Sequence, residues 1–138
     1  MEALSEGIRK LIEAGTTFVL ATDLFVSVVP PNPLNCITVF NTSSQKPNTL
    51  LKGETTYYRE SFQIIIRNES YLEANDISYT LIGLLHMKSN FTLNDAHYLL
   101  IQMLNGPNDL NTSNDGISTK RGATLISINF SVQRNEVF

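Results

Sequence analysis

The stretch of residues 60–88 constrains the fold most, because the spacing of its apolar residues changes partway along. Up to Arg67, apolar and polar residues alternate, with Phe62, Ile64 and Ile66 on the same side. Alternation of this kind is the pattern of a pleated strand that has one buried face. The first half of the stretch therefore predicts a buried strand.

The second half of the stretch has the spacing of a helix. Its apolar positions recur every three or four residues and form one stripe, made up of Tyr71, Ala74, Ile77, Ser78, Leu81, Leu84 and Leu85. Ser70 and Glu73 fit a capping box, in which each side chain accepts a hydrogen bond from the backbone amide of the other at the start of a helix. The spacing and the cap together predict a helix over about residues 71–87.

A shorter helix and four further strands are predicted outside this stretch. The helix covers residues 1–14, and the strands cover residues 24–29, 35–41, 96–104 and 123–133. Gly15 stands where a left-handed C-cap is expected, and Gly106-Pro107 is expected to end the strand that begins at Ala96. Because the strands do not alternate one for one with helices, we predict an α+β fold. It has a mostly antiparallel or mixed sheet of about five strands, with two helices packed on one face.

Length and composition limit the class of protein. The chain has 138 residues, so we expect residues 1–138 to form a single domain. A net charge of −3 argues against general electrostatic binding of nucleic acid. No apolar stretch is long enough to span a bilayer, and the N-terminus lacks the apolar segment of a signal peptide. We therefore expect a protein of intracellular origin that has no membrane partner.

Few residues carry reactive chemistry. The only cysteine, Cys36, lies in an apolar run, which predicts a small buried side chain and excludes an internal disulfide. His86 and His97 do not form a metal-binding pattern, and we expect His86 to complement the dipole at the end of the long helix. Phosphate-binding glycine loops and a GxSxG elbow are missing from the sequence. We therefore expect no metal, no cofactor and no enzymatic activity.

Two long polar segments, residues 42–58 and 105–122, separate the predicted strands. Loops of this length in a compact domain are commonly functional or mobile. For the first segment, an equally weighted alternative is a hairpin tip whose two leucines pack locally.

Two segments carry a resemblance to a known family. YYRESFQIIIRNESYLEANDISYTLIGLL joins a strand that ends in Arg to a polar junction and a long helix, and TLISINFSVQRN is an alternating strand that follows an Asp- and Gly-containing loop. This layout resembles the minor capsid and tail-terminator proteins that join heads to tails in long-tailed bacteriophages. The similarity is strongest over residues 61–85 and 123–134, whereas the 42–58 loop has no counterpart in the pattern.

The resemblance implies a structural protein of the virion tail or neck that assembles in the host cytoplasm into a hexameric ring. Such a ring caps the tail tube, terminates its polymerisation and joins the tail to the head connector. The implied partners are further copies of the chain, the tail-tube protein, the head-completion or connector proteins, and phage DNA that passes through the lumen without specific binding. The alternatives are a head-completion (stopper or adaptor) protein, a tail-tube subunit, or a small nucleic-acid-binding α+β module.

In a ring of this kind, the two long loops are expected to contact the tube, the connector or a neighbouring subunit. The expected interface residues lie in those loops and are Lys46, Lys52, Tyr57, Tyr58, Asp115, Lys120 and Arg121.

Overall fold

A computed structural model describes residues 2–44, 48–49, 56–109 and 123–136 of the chain. The described residues form two helices and seven strands. In chain order these are α1 (Leu4–Gly15), β1 (Leu24–Val26), β2 (Cys36–Ser44), β3 (Asn48–Thr49), β4 (Thr56–Asn68), α2 (Tyr71–Leu85), β5 (Ser89–Leu93), β6 (Ala96–Asp109) and β7 (Thr124–Glu136).

The strands build one mixed sheet in the order β1-β2-β4-β7-β6-β5. β1 runs parallel to β2, the other neighbours on this path are antiparallel, and β3 pairs with β4 beside it. The α+β fold with a mixed sheet is confirmed, and the sheet has more strands than the predicted five. β3 and β5 were not predicted, because β3 has two residues and β5 has five, with only two apolar positions, Phe91 and Leu93.

The hydrophobic core lies between the sheet and the helices. Neighbouring strands align their apolar residues, as in the pairs Ile64↔Ile128 and Ile66↔Ile126. Where Phe62 pairs with Phe130, the rings stack with their centroids 4.9 Å apart. The helices close this face with side chains that are also fully buried, among them Ile8, Ile12, Leu81 and Leu85. The period-two patterns of β4 and β7 therefore predicted the core face correctly.

Helix α2 begins with half of the predicted capping box. The Ser70 hydroxyl accepts a hydrogen bond from the Glu73 amide at 3.3 Å. The second bond of a capping box would run from the Ser70 amide to the Glu73 carboxylate. It is not made, because the Ser70 amide donates instead to the Asn68 side chain at 2.9 Å. Tyr71 was predicted to lie in the buried stripe, but it is 52% exposed, and the helix ends at Leu85.

Gly15 does not have the predicted role. It is the last residue of α1, and the residue after it, Thr16, has an extended backbone. A Cβ built on Gly15 would lie 2.6 Å from a methyl group of Leu84 in α2. Glycine therefore allows the end of α1 to pack closely against α2, and no left-handed turn is involved.

The two predicted loops are shorter than expected. β2 continues to Ser44 and β4 begins at Thr56, while β6 continues past Gly106 to Asp109 through several register shifts. Gly106 has a φ of +122°, and a Cβ there would lie 3.0 Å from the backbone of Ile128. A glycine at a bulge lets the strand continue where the sequence predicts its end.

Candidate interaction surfaces

The structure describes two of the predicted interface residues. Tyr58 is half-buried on β4, where it pairs with Arg134 of β7, and Tyr57 pairs through its backbone with Asn48 of β3. The others lie outside the described residues, namely Lys46, Lys52, Asp115, Lys120 and Arg121.

A buried ion pair between Arg134 and Glu60 lies at the end of the sheet beside Tyr58. The Arg134 guanidinium donates to both carboxylate oxygens of Glu60, at 2.7 and 3.0 Å, and to the Tyr98 hydroxyl at 3.3 Å. Burial lowers the pKa of Arg134, but the hydrogen bonds and charge of Glu60 outweigh it, and the net shift is upward. Burial also raises the pKa of the Tyr98 phenol. These hydrogen bonds connect β4, β6 and β7, because Glu60, Tyr98 and Arg134 lie one on each of these strands.

The second face of the sheet, opposite the helices, has a mixed composition. We call it the uncovered face. By strand register it carries apolar side chains beside polar ones, and the apolar ones are Phe25, Cys36, Phe40, Ile65, Leu100 and Leu125. Among its uncharged amide and hydroxyl side chains are Ser61, Gln63, Gln102, Asn105, Asn108, Asn129, Ser131 and Gln133. The Asn105 side-chain oxygen accepts hydrogen bonds from Asn129 at 2.7 Å and from Asn108 at 3.1 Å. These bonds fix the orientation of neighbouring amides on β6 and β7.

Two arginines lie on the uncovered face, and none of the carboxylates of the described strands falls there by register. Arg67 is buried. Its guanidinium donates to the backbone oxygens of Leu34, at 2.8 Å, and of Pro33 and Pro30. Residues 28–34 therefore cover that end of the face. Arg59 is exposed and takes part in none of the ion pairs of the described residues.

A depression of about 280 Å³ lies on the uncovered face near Arg59. Leu104 is 56% exposed there, although most of its surroundings are polar. The residues that line it are Arg59, Glu60, Ser61, Gln102, Leu104, Ser131, Val132 and Gln133. It is open enough to admit a side chain of another molecule.

The solvent side of α2 has a different chemistry. We define the α2 surface as Tyr71, Leu72, Glu73, Asp76 and Tyr79. Leu72 is 74% exposed and Tyr79 is 59% exposed. The ion pairs of the described residues include neither of its carboxylates, whereas the cations of α1 pair with glutamates of their own segment. Exposed aromatic and aliphatic side chains in one patch are typical of a contact with another protein.

A groove of about 280 Å³ adjoins the α2 surface where the end of α1 meets α2. Phe18 and Ile77 give it an apolar floor, and Glu73, Asp76 and Thr80 also line it. The groove extends the apolar area of the α2 surface toward α1.

The side chains that could carry reactive chemistry have structural roles. Cys36 is buried as predicted, and burial raises the pKa of its thiol. His86 follows α2, but its Nδ1 accepts a hydrogen bond from the Met103 amide at 3.0 Å, so this nitrogen carries no proton. The predicted cationic role of His86 is therefore wrong.

Within the described residues, no group of three or more His, Cys, Asp or Glu side chains is placed to hold a metal ion. Neither helix has the length and apolar character needed to cross a bilayer.

The sequence interpretation missed both surfaces. The polar positions of β7 were visible in its alternation, but their proximity to the amides of β6 depends on strand pairing. Carboxylates on the polar side of a helix, such as Glu73 and Asp76, give no signal of a contact in the sequence. The exposure of Tyr71 was not predicted, because its spacing matches the buried stripe.

Known proteins similar to this chain come from virions. A family model described as "Bacteriophage tail terminator protein" matches residues 11–135. Among solved structures, a chain of the "Virion of native gene transfer agent (GTA) particle" has a TM-score of 0.64 and 14% sequence identity. The match covers 96% of this chain and 95% of that chain, and at this identity it shows a shared fold. No curated protein sequence matches the chain.

Proposed function

Because the chain belongs to the bacteriophage tail terminator family, we propose that it forms a hexameric ring that caps the tail tube and terminates its polymerisation. The same ring joins the tail to the head connector. The chain is a structural component of the tail or neck of the virion. The observation that carries the proposal is the family match, which extends over residues 11–135 and so includes the end of α1, the sheet and α2.

The described surfaces are compatible with assembly into a ring. A ring needs heterologous contacts, in which one patch of a subunit meets a different patch of its neighbour. The α2 surface offers exposed Leu72 and Tyr79 beside carboxylates that have no ion-pair partner in the part of the chain that the structure describes. The depression on the uncovered face offers Leu104 and Arg59. The structural family implies a non-enzymatic role.

The proposed partners are the tail-tube protein on one side of the ring and the head-completion or connector proteins on the other. The interface residues predicted from the sequence, from Lys46 to Arg121, remain candidates for these contacts. Phage DNA passes through the lumen without specific binding.

The proposal is tested by measuring the native mass of the purified protein by light scattering, alone and after addition of tail tubes. We expect a hexamer, or a monomer that becomes a six-fold ring on the tubes. Tube lengths measured by electron microscopy should stop increasing when the protein is added to polymerising tube protein.

Other outcomes would assign a different role. Unlimited polymerisation of the protein itself would make it a tube subunit, and binding to head connectors without any effect on tubes would make it a stopper or adaptor. A strict monomer that ignores tubes and connectors but binds DNA would make it a nucleic-acid-binding module.

A further inference from the structure

Each subunit of a ring contacts two neighbours, and it uses a different patch for each of them. The described residues form two exposed patches of complementary chemistry, the α2 surface and the depression on the uncovered face. One lies on the helical layer and the other on the opposite side of the sheet, so a single subunit does not bring them together. The two patches can meet only between two copies of the chain.

The α2 surface is apolar and acidic. Leu72, Asp76 and Tyr79 are spaced by four and three residues, so their side chains follow one line along the solvent side of the helix. Leu72 is 74% exposed and Tyr79 is 59% exposed, and α2 contains no lysine or arginine. Glu73 and Asp76 have no ion-pair partner within the described ranges. A complementary partner therefore offers an apolar side chain with a cation beside it.

The depression offers this combination. Leu104 is 56% exposed, and the exposed Arg59 lines the same depression without an ion-pair partner in the described part of the chain. Glu60 also lines it, but both of its carboxylate oxygens accept hydrogen bonds from the buried Arg134 guanidinium. The charge of Arg59 is therefore not balanced by the carboxylate next to it.

The depression has room for an aromatic side chain. An apolar cavity of about 150 Å³ holds benzene, and the depression has a volume of about 280 Å³. Gln102, Ser131 and Gln133 line it with groups that can exchange hydrogen bonds with a phenol hydroxyl. A tyrosine that enters the depression can therefore bury its ring while its hydroxyl stays hydrogen-bonded.

We propose, on the basis of the proposed ring, that the α2 surface of one subunit docks on the depression of the next subunit. Tyr79 enters the depression and contacts Leu104, and Asp76 pairs with Arg59. Tyrosine and arginine are residue types on which binding energy concentrates at protein interfaces, and this contact has one of each. Every subunit keeps one patch free for its other neighbour, so the contact repeats until the ring closes.

A symmetric contact between two α2 surfaces is less favourable. It would bring Glu73 and Asp76 of one copy toward the same carboxylates of the other, and neither helix supplies a cation. Contact between two depressions would likewise bring Arg59 toward Arg59. Like charges that face each other across an interface oppose association, whereas the contact between unlike patches pairs opposite charges.

The first test links thiols within rings of the full chain, assembled alone or on tail tubes. Leu72→Cys together with Gln102→Cys places one thiol in each patch and leaves Tyr79 and Leu104 in place. A short bismaleimide then joins thiols, and the products are separated under denaturing conditions. Because the two patches lie on opposite layers, the reagent joins them only between subunits.

The controls use the same chain. Leu72→Cys with Thr92→Cys is the matched pair, since Thr92 is exposed on β5 and does not line the depression. The native thiol, Cys36, is 4% exposed and burial raises its pKa, so the unaltered chain is the blank.

We expect linked chains up to the hexamer from Leu72→Cys with Gln102→Cys, and unlinked chains from each single variant and from the control pair. A mixture of the two single variants should give linked dimers and nothing longer. Dimers from Leu72→Cys alone would show two α2 surfaces in contact, and links to the tube protein would show that the tube covers the patch. Either result would overturn the proposed contact, and so would rings that give no links.

An exchange of charges is the second test. Asp76→Arg and Arg59→Asp each place like charges at the contact, so each should reduce the fraction of protein in rings several-fold. The variant that carries both changes should regain most of its rings, because the exchanged pair is again complementary. Both residues are exposed, so the thermal unfolding temperature should stay close to that of the unaltered chain. Failure of the double variant to regain rings would overturn the pairing.

Failure of the proposed function gives a different result from failure of the contact. An unaltered protein that remains a monomer, alone and on tubes, would overturn the ring and the contact together. Rings of the unaltered protein whose thiol variants give no links would overturn the contact and leave the ring in place.

Discussion

Arg134 is a charged residue at a position of the β7 alternation that faces the core. It is buried, and it is compatible with that site because Glu60 and Tyr98 accept hydrogen bonds from its guanidinium. A buried charge is costly to leave unpaired, whereas a fully bonded pair is close to neutral in its net effect on stability. The strand predicted from the sequence ends at residue 133, whereas β7 continues to Glu136, so neither the burial of Arg134 nor its partner on β4 was predicted.

Replacing Arg134 with Leu should lower the free energy of unfolding by about 3–5 kcal/mol, because the Glu60 carboxylate is then left largely buried without its partner. The change is measured by urea denaturation. Arg59→Leu is the matched control on β4, since Arg59 is exposed and outside the ion pairs of the described residues; it should change stability by at most about 0.5 kcal/mol. If both changes altered the free energy of unfolding equally, the ion pair would not contribute to the stability of the fold.

At the scale of elements, periodicity predicted β4, β7 and α2 well and their ends less well. The helix predicted over residues 71–87 ends at Leu85, and the strand predicted over residues 96–104 continues to Asp109. Ends depend on single contacts, such as the close approach of Gly15 to Leu84 in the neighbouring helix. β5 was missed because it is short, and two apolar residues, Phe91 and Leu93, are too few to establish a period.

The two glycines at positions 83 and 106 should respond in opposite directions to replacement by Ala. Gly106→Ala should destabilise the protein by more than about 1 kcal/mol, because φ is +122° and the Cβ would lie 3.0 Å from the backbone of Ile128. Gly83 lies within α2 with open space around the position of a Cβ, so Gly83→Ala should stabilise by about 0.5–1 kcal/mol. Thermal unfolding measures both, and a stable Gly106→Ala variant would contradict the strained bulge in β6.

At the scale of the whole molecule, the two layers present different surfaces to possible partners. The helical layer exposes apolar and acidic side chains, and the uncovered face of the sheet exposes amides and hydroxyls. The proposed ring requires contacts between proteins, and the exposed side chains of the α2 surface are candidates for them.

Replacing Lys120 and Arg121 together with Ala should leave the thermal unfolding temperature unchanged and reduce the joining of tails to heads, counted by electron microscopy. The expectation comes from the sequence, which puts this basic pair in a long polar loop. Lys10→Ala is the control, because Lys10 lies in α1 and pairs with Glu2 at 2.7 Å. A loss of folding in the double variant would show that the pair is structural, and normal tail joining would remove it from the interface.

The sequence by itself determined most of the side chains of β4, β7 and α2 that face the core, with Tyr71 as an exception, because periods of two and of three to four residues are local properties of the chain. It also determined that Ser70 caps α2 and that Cys36 is buried. Only the tertiary structure decided that β7 lies between β4 and β6, which brings Arg134 to Glu60 and Asn129 to Asn105. The order of strands depends on pairing between residues far apart in the chain, and no local period encodes it. The cluster of amides that β6 and β7 share on the uncovered face is a consequence of that order.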